Sequence, residues 1–530
     1  MLLSKEKLHQ LLSNRVLSDS FNSLKTLPSP DSFKDIKKAS QRIVQAINNK
    51  EKITVVGDYD VDGIVSTAIM VEFFEIVGYP IDYIIPNRFI HGYGLSSKII
   101  EELDSNTKVV ITVDNGISAI DAAQICKDRG IDLIITDHHT TPEILPTAYA
   151  IVNPKQTDCS FPYSHICGAQ VAWYVCAAIK SELKLDINMG DFLDILSIAI
   201  IADIMPMRGL NFAMTKKGLE FISKSKRVAL QEFVTMCNKT KINGEDIGFL
   251  LAPLLNSAGR LDDPRISLNF LLSKNRYEAN ENLYKLIELN NQRKELQINI
   301  YHQAQSLVNT EDEVIVVFDE DWNEGILGIV ASKLCDKYKK PAFVLTQKDD
   351  IIKGSARSSG LIDLYELLTL SQDSVLNYGG HKSAAGVTIK VENLEYFRKS
   401  LNENKAKLSP SEEFRSEYIG ELSLDEVDFE LFDILEQFEP YGLENEKPYF
   451  LFKDIQIQKV MSIGKNKEHT KFVVNKNYSD SFEALFFGEN ATNYNDLDNC
   501  SFVASVGLNE FRGNISLNLH IKEVIRSLWF

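Results

Sequence analysis

The sequence is poor in cysteine, carries no excess of positive charge and has no long uninterrupted apolar run. Seven cysteines (Cys126, Cys159, Cys167, Cys176, Cys237, Cys335, Cys500) are scattered over 530 residues, odd in number and never in a CxxC pair. That pattern argues against a disulfide framework or a zinc knuckle and points to reduced thiols in a cytoplasmic protein. The most apolar stretch, FLDILSIAIIADIM, carries Asp194 and Asp203, so it reads as a buried helix and not a membrane span. MLLSKEKLHQLLSNRV at the start is too charged for a signal-peptide core. The net charge of −17 lowers the expectation of nonspecific polyanion binding. It leaves room for a locally basic channel, and for acids neutralised by bound cations. There is no internal repeat and no low-complexity segment.

What is present is enough apolar residue, 44%, to bury several cores. The expected fold class is α/β with a parallel sheet, a long connector helix, a second α/β domain and a carboxy-terminal β-barrel. After a helical segment (1–40), residues 41–215 alternate strand-like runs (ITVVG, IDYII, VVITV, LIIT, YAIV) with helical segments, the signature of a doubly wound sheet. Residues 216–309 read as helical. Within them, 279–308 lacks any Gly or Pro and is long enough to connect two domains. A second α/β unit (310–405) begins at EVIVVFD and holds two glycine-rich segments, GSARSSG (354–360), expected as a loop offering backbone N–H groups, and GGHKSAAG (379–386). The tail (406–530) alternates short strands with polar turns, as a small barrel does.

Three of the apolar runs end on an aspartate: ITVVG before Asp58, VVITV before Asp114 and LIIT before Asp137, the last followed by His138 and His139. In parallel sheets ligands gather at the carboxyl ends of strands, so these groups converge on one edge. Asp58, Asp60 and Asp62 alternate, which points them one way if the strand conformation persists, and Gly63 then opens a helix. A calcium loop is the weaker alternative, because an EF-hand needs further acids and a preceding helix. A single strand-end aspartate is often a helix N-cap, but three beside a histidine pair favour a site. Asp203, expected inside an apolar helix, must be paired, hydrogen-bonded or metal-bound, a salt bridge being the plain alternative. Mixed carboxylate and imidazole ligation suits Mn²⁺ or Mg²⁺. Crowded carboxylates repel, and two divalent cations would offset most of that charge. Such a pair of ions suits phosphate-ester hydrolysis.

DYDVDG, VDNG, TDHH and ADIMP, in that order, resemble the four motifs of the DHH phosphoesterase superfamily, and GGHKSAAG resembles its DHHA1 companion domain. PNRFIHGYGL, LNSAGRLDDP, GSARSS and EPYGLENEKPYF narrow the resemblance to the RecJ family of single-strand-specific 5′→3′ DNA exonucleases, over nearly the whole chain from about residue 40 and including an OB-fold tail. The resemblance implies that Asp58, Asp60, Asp62, Asp114, His138 and Asp203 are ligands of two Mn²⁺ or Mg²⁺ ions. Asp114 would bridge; Asp62, His138 and Asp203 would hold one ion, and Asp60, with or without Asp58, the other. His139 would face the scissile phosphate or support the ligand shell, with Asp137 fixing an imidazole tautomer. Arg88, Ser355 and Arg357 would bind the 5′-phosphate, and Arg260 and His381 phosphates nearer the cut. For each arginine a surface salt bridge is the plain alternative. In the tail, Tyr441, Phe472, Phe486, Phe487 and Phe511 are candidate stacking residues, with Lys465, Lys471 and Arg512 on the backbone, although most barrel aromatics are core and GELSLDEVDFELFDILEQFEP is strongly acidic.

The activity so implied is release of 5′-mononucleotides from single-stranded DNA with a 5′-phosphate, in recombination and repair. It implies a cytoplasmic monomer working with a helicase and a single-strand-binding protein, away from membranes. Two other readings are a phosphodiesterase for short oligonucleotides or cyclic dinucleotides, and an inactive nucleic-acid-binding relative. The length and the tail argue against the first, and the retained motif acids against the second.

Overall fold

The first five strands form a parallel sheet whose central strands are apolar on both faces. The computed structural model describes residues 2–17, 20–360, 362–408, 418–476, 481–511 and 514–526, without the side chains of 510 and 511. Strands β1 (Lys52–Val56), β2 (Asp82–Ile84), β3 (Thr107–Val113), β4 (Asp132–Thr136) and β5 (Ala150–Val152) pair in the order β2-β1-β3-β4-β5. Alternate residues feed two different cores. Ile53, Val55, Val109, Ile111, Val113 and Ile134 pack into one, while Val56, Val110, Leu133 and Ile135 pack into the other. Burial on both faces is why these strands read as unbroken β-branched runs. The order reverses direction between β1 and β3, which opens a crevice at their carboxyl ends. Asp58 and Asp114 lie on its two sides.

Helix Val61–Val77 is buried nearly all round and packs between the sheet and helices Gly168–Leu183 and Leu193–Ala202. Further helices lead to the connector, one 31-residue helix, Arg276–Ser306, capped by the Asn275 side chain on the Glu278 N–H. It begins three residues before the stretch expected from sequence. Helix Ile36–Asn49 runs across residue 40, its Ile36, Ala39, Ile43 and Ala46 belonging to the same core as the parallel sheet.

The second sheet, β6 (Ile315–Phe318), β7 (Ala342–Lys348), β8 (Ile351–Arg357), β9 (Asn377–His381) and β10 (Ala384–Lys390), has the order β6-β7-β8-β10-β9 and is parallel only between β6 and β7. Here the structure corrects one expectation. Gly354–Arg357, expected as a loop offering free N–H groups, is strand β8, paired on both sides to β7 and β10. A Cβ on Gly354 would lie 2.1 Å from Leu345 Cδ2, so this glycine admits a neighbouring side chain and does not loosen the backbone. GGHKSAAG is likewise a hairpin, β9 to β10, with Lys382 and Ser383 at its tip.

Strand β11 (Gly420–Glu421) precedes β12 (Phe450–Ile463), β13 (His469–Asn475), β14 (Ser481–Phe486), β15 (Asn499–Phe511) and β16 (Asn514–Arg526). β12 pairs with both β13 and β15, which closes a five-stranded barrel. Phe472 is fully buried in it, Tyr441 donates its hydroxyl to Leu435 O at 2.7 Å, and Lys471 is paired with Glu483. Of the nominated tail aromatics, Phe487 is the exposed one among the described side chains, at 54%. The Phe511 side chain and Arg512 lie outside the described residues. All seven cysteines are free, and among the described residues no helix is long and apolar enough to cross a membrane.

Candidate metal centre

Each acid of the first motif is held differently, and the alternation expected of a persisting strand does not hold. The chain leaves β1 at Val56, and by Asp60 it has turned into a helix N-cap whose side chain accepts from the Gly63 N–H at 3.1 Å. The helix therefore starts at Val61, with Asp62 in its first turn. Capping a free N–H outweighs prolonging an unpaired strand. Gly63 has no room for a side chain, since a Cβ would lie 2.6 Å from the Asp58 backbone N. Asp62 is buried, and its two oxygens accept from the N–H groups of Gly168 (2.6 Å) and Ala169 (2.8 Å) at the start of helix Gly168–Leu183. The positive end of that helix supports a carboxylate there. A Cβ on Gly168 would lie 2.5 Å from Asp114 Oδ1, so only glycine lets these motifs meet.

Asp114 adopts φ 64° after β3, in the left-handed region that suits Asp or Asn. The next residue fixes the turn. The buried Asn115 amide donates to Val56 O, Gly57 O and Val113 O and accepts from the Leu95 N–H, tying the ends of β1 and β3 together. Asp203 is not inside a helix, as the apolar run suggested. It is the C-cap of Leu193–Ala202, with 29% of its side chain exposed, followed by Ile204 at φ 53°. Helix termination there brings the carboxylate out of the apolar core toward the sheet edge.

His138 Nε2 is the point of convergence. It lies 3.2 Å from Asp114 Oδ1, 3.6 Å from Asp203 Oδ2 and 3.7 Å from Asp62 Oδ2. Two sets of donor atoms close enough to share an ion result, Asp62 with His138 and Asp203, and Asp58 with Asp60 and Asp114; Asp114 also groups with His138 and His139. Burial lowers the pKa of His138, favouring the neutral ring that can ligate. Burial, then the neighbouring carboxylates, lift Asp62 and Asp203 to about 7 and Asp58 and Asp114 well above the usual range. Asp58 Oδ1, Asp114 Oδ1 and Asp203 Oδ2 are buried without a hydrogen-bond partner. Orphaned oxygens in an acid cluster that, among the described residues, no lysine or arginine bridges are what a pair of hard divalent cations would satisfy, so the donor set fits Mn²⁺ or Mg²⁺.

Asp137 is different. Its Oδ1 accepts from the N–H groups of His138 (2.7 Å) and His139 (3.0 Å) and from His139 Nδ1 (2.7 Å), and Oδ2 from the Ile117 N–H (2.9 Å). Although burial opposes ionisation, these bonds hold its pKa below the usual carboxylate value. It orients His139, whose pKa rises to about 9: burial works against the charged ring, and Asp137 outweighs it.

Arg88 stacks on the Tyr59 ring at 4.4 Å. Arg260 donates to Gly325 O at 2.9 Å and Arg357 to Ala356 O at 2.8 Å. None of these arginines makes an ion pair among the described residues, so the surface salt-bridge alternative does not apply. Gly328, at the start of helix Leu327–Tyr338, lies against Arg357 and Ser355: a Cβ there would be 2.9 Å from Arg357 Nη2 and 3.6 Å from Ser355 Cβ. The first turn of this helix therefore lies beside both side chains. His381, the last residue of β9, is exposed to solvent on one side, and partial desolvation of its ring together with the charges of Lys155 and His139 lowers its pKa.

Sequence reasoning missed several neighbours. Tyr93 places its hydroxyl 3.3 Å from Asp114 O and 3.3 Å from His139 Nε2. Lys155 lies within electrostatic reach of Asp203 and Asp137. Asn153 donates to His139 O at 2.9 Å. The signal for the last two was the NPK segment just after β5, at the same sheet edge as the aspartates.

Residues 52–200 match the DHH family, N-terminal domain, 311–407 the DHHA1 domain and 420–523 the RecJ OB domain. The chain is 33% identical over 512 residues to the single-stranded-DNA-specific exonuclease RecJ of Bacillus subtilis (strain 168), a match covering 94% of this chain and 64% of that protein. The protein of the same name from Haemophilus influenzae is 32% identical over 526 residues, covering 94% of this chain and 91% of that protein. Among solved structures, RecJ of Thermus thermophilus in complex with Mn²⁺ superimposes with a TM-score of 0.84 at 25% identity, over 98% of this chain and 75% of that one. The same protein in complex with Mg²⁺ gives 0.75 at 25% identity, over 94% and 71%.

Proposed function

Because this chain belongs to the RecJ family of single-stranded-DNA-specific exonucleases, we propose that it hydrolyses single-stranded DNA from the 5′ end and releases 5′-mononucleotides. The observation that carries this reading is the convergence of two ligand sets, Asp62, His138 and Asp203 beside Asp58, Asp60 and Asp114, around buried oxygens that lack partners. Two Mn²⁺ or Mg²⁺ ions bound there supply charge neutralisation and a nucleophilic water for in-line displacement. Asp114, a member of one set whose Oδ1 lies 3.2 Å from His138 Nε2 of the other, would be the ligand shared by both ions.

The chain's own residues do the rest. His139, held by Asp137 through Nδ1, presents its other nitrogen to the scissile phosphate. Arg260, His381 and Lys155 offset charge on the phosphates around the cut. Arg88, Ser355, Arg357 and the start of helix Leu327–Tyr338 bind the terminal 5′-phosphate, a fit supported by forked guanidinium donors beside a helix N-terminus. Fixing that phosphate a set distance from the ions gives polarity and product size. A passage between the two α/β domains too narrow for a duplex gives strand selectivity. The enzyme works in the cytoplasm as a monomer, in recombination and repair, on strands opened by a helicase and shared with a single-strand-binding protein.

The test is digestion of a 5′-phosphorylated, internally labelled single strand with Mn²⁺. Mononucleotides from the single strand, with a blunt duplex left intact, are expected. Cleavage confined to dinucleotides would replace this reading with that of a short-oligonucleotide phosphodiesterase.

A further inference from the structure

Ala202 and Ile204, the two neighbours of Asp203, line a cavity of about 380 Å³ that, Arg260 apart, none of the roles above uses. Its size falls in the range of small-ligand pockets, about 300–1,000 Å³. One wall is a helical stripe, Phe249, Pro253, Asn256 and Arg260, spaced four, three and four residues apart and therefore on one face. Ile204, adjacent to Asp203, and Arg293, from the connector helix, also line it.

Three features mark this cavity as built. Phe249 and Ile204 are 79% and 68% exposed, large apolar side chains left beside a polar centre. Both sit on irregular backbone: Phe249 in the π-helical turn Ile247–Leu251, Ile204 at φ 53°. Such turns and positive φ at a β-branched residue concentrate at functional sites. Finally, among the described residues Arg293 bonds only neutral oxygens, Asn290 Oδ1 at 3.0 Å and Gln297 Oε1 at 2.9 Å. Arg260 is so crowded by burial and by Arg88, Arg293 and Arg357 that its pKa falls to about 10. Among the described residues none of these four guanidiniums is ion-paired with a carboxylate, and in a chain of net charge −17 such a group calls for a polyanion.

We infer that this cavity is a nucleotide subsite: a base of the single strand adjacent to the scissile linkage stacks on Phe249 against Ile204, while Arg293, with Arg260, takes the attached phosphate. Arg293 is then a substrate-binding residue in addition to those assigned above. The inference rests on the exonuclease reading and extends it. An aromatic face accepts any base, so the subsite contributes affinity without sequence preference.

The experiment is steady-state kinetics with Mn²⁺ on a 5′-phosphorylated single strand, for the wild-type protein, Phe249→Ala and Arg293→Gln. Stacking strengths of about 1–3 kcal/mol per base predict that Phe249→Ala raises KM about tenfold with kcat within about twofold. Tyr277→Ala, an equally exposed aromatic at the far end of the connector helix, leaves KM unchanged. A single abasic site walked through the first three nucleotides raises the wild-type KM at one position, and there adds nothing to Phe249→Ala. Arg293→Gln raises KM and flattens its salt dependence. An unchanged KM in Phe249→Ala, or additivity at every abasic position, overturns the subsite while leaving the exonuclease reading intact. No hydrolysis by the wild type would overturn that reading first, and the subsite with it.

Discussion

β3 and β4 lie side by side in parallel register, Val113 opposite Thr136, and each is followed by an aspartate. The two carboxylates have opposite surroundings. Asp137 receives four hydrogen bonds, three of them from backbone N–H groups. Asp114 adopts a positive φ, and its Oδ1 faces His138 Nε2 and the other acids without a hydrogen-bond partner. Residue type and strand position are the same, so the supply of local donors decides the role. A saturated carboxylate is a structural anchor; an unsatisfied one among like charges is a ligand in waiting.

That contrast can be broken by substitution. Asp137→Ala orphans four donors, so it should destabilise the parallel-sheet domain by about 3–5 kcal/mol, seen as a lower first melting transition without metal. An unchanged transition would mean that Asp137 anchors nothing. Asp114→Asn keeps the left-handed turn that Asn tolerates and removes one repelling charge. Its metal-free melting temperature should not fall, while activity with Mn²⁺ should drop by more than the about 10–100-fold that outer partners of a metal ligand cost. Comparable residual activity in the two variants would erase the distinction.

Metal sharpens it further. At a hundredfold excess over Kd, each Mn²⁺ bound only by the folded state adds about 2.7 kcal/mol. The melting temperature should therefore rise with Mn²⁺ in the wild type, fall back on chelation, and rise distinctly less in Asp114→Asn. Smallest is the effect across the domain gap. Arg357→Ala should reduce the preference for a 5′-phosphate over a 5′-hydroxyl end by about tenfold, the loss of one charge-assisted contact. Competition between the two ends reads it directly.

The sheet, its strand-end acids and the closed barrel were legible because each is written locally: a β-branched run, an aspartate after it, alternating short strands. What was not legible depends on contacts between distant segments. The donors that clamp Asp62 are 106 and 107 residues away, and no periodicity around CGAQ announces them. Asp60 could have been read as an N-cap, since Gly63 opens an apolar helical run three residues later, but the alternating acids suggested a strand instead. Asp203 looked buried in a helix because hydropathy does not show where a helix ends. The glycines of GSARSSG suggested a loop; two flanking strands make it a ladder. Arg293 sits in a charged helix where nothing in the sequence distinguishes it from a solvated arginine, and only its place beside Arg260 does so.

The central claim is that Asp114 joins two ligand sets into one two-ion centre. Equilibrium Mn²⁺ binding to the full chain without DNA, counted by calorimetric titration and by metal analysis after dialysis, tests it most directly. The account predicts two ions per chain in the wild type and in any Asp137→Ala protein that remains folded, and fewer than two in Asp114→Asn. A single ion in the wild type, or two undiminished in Asp114→Asn, would contradict it.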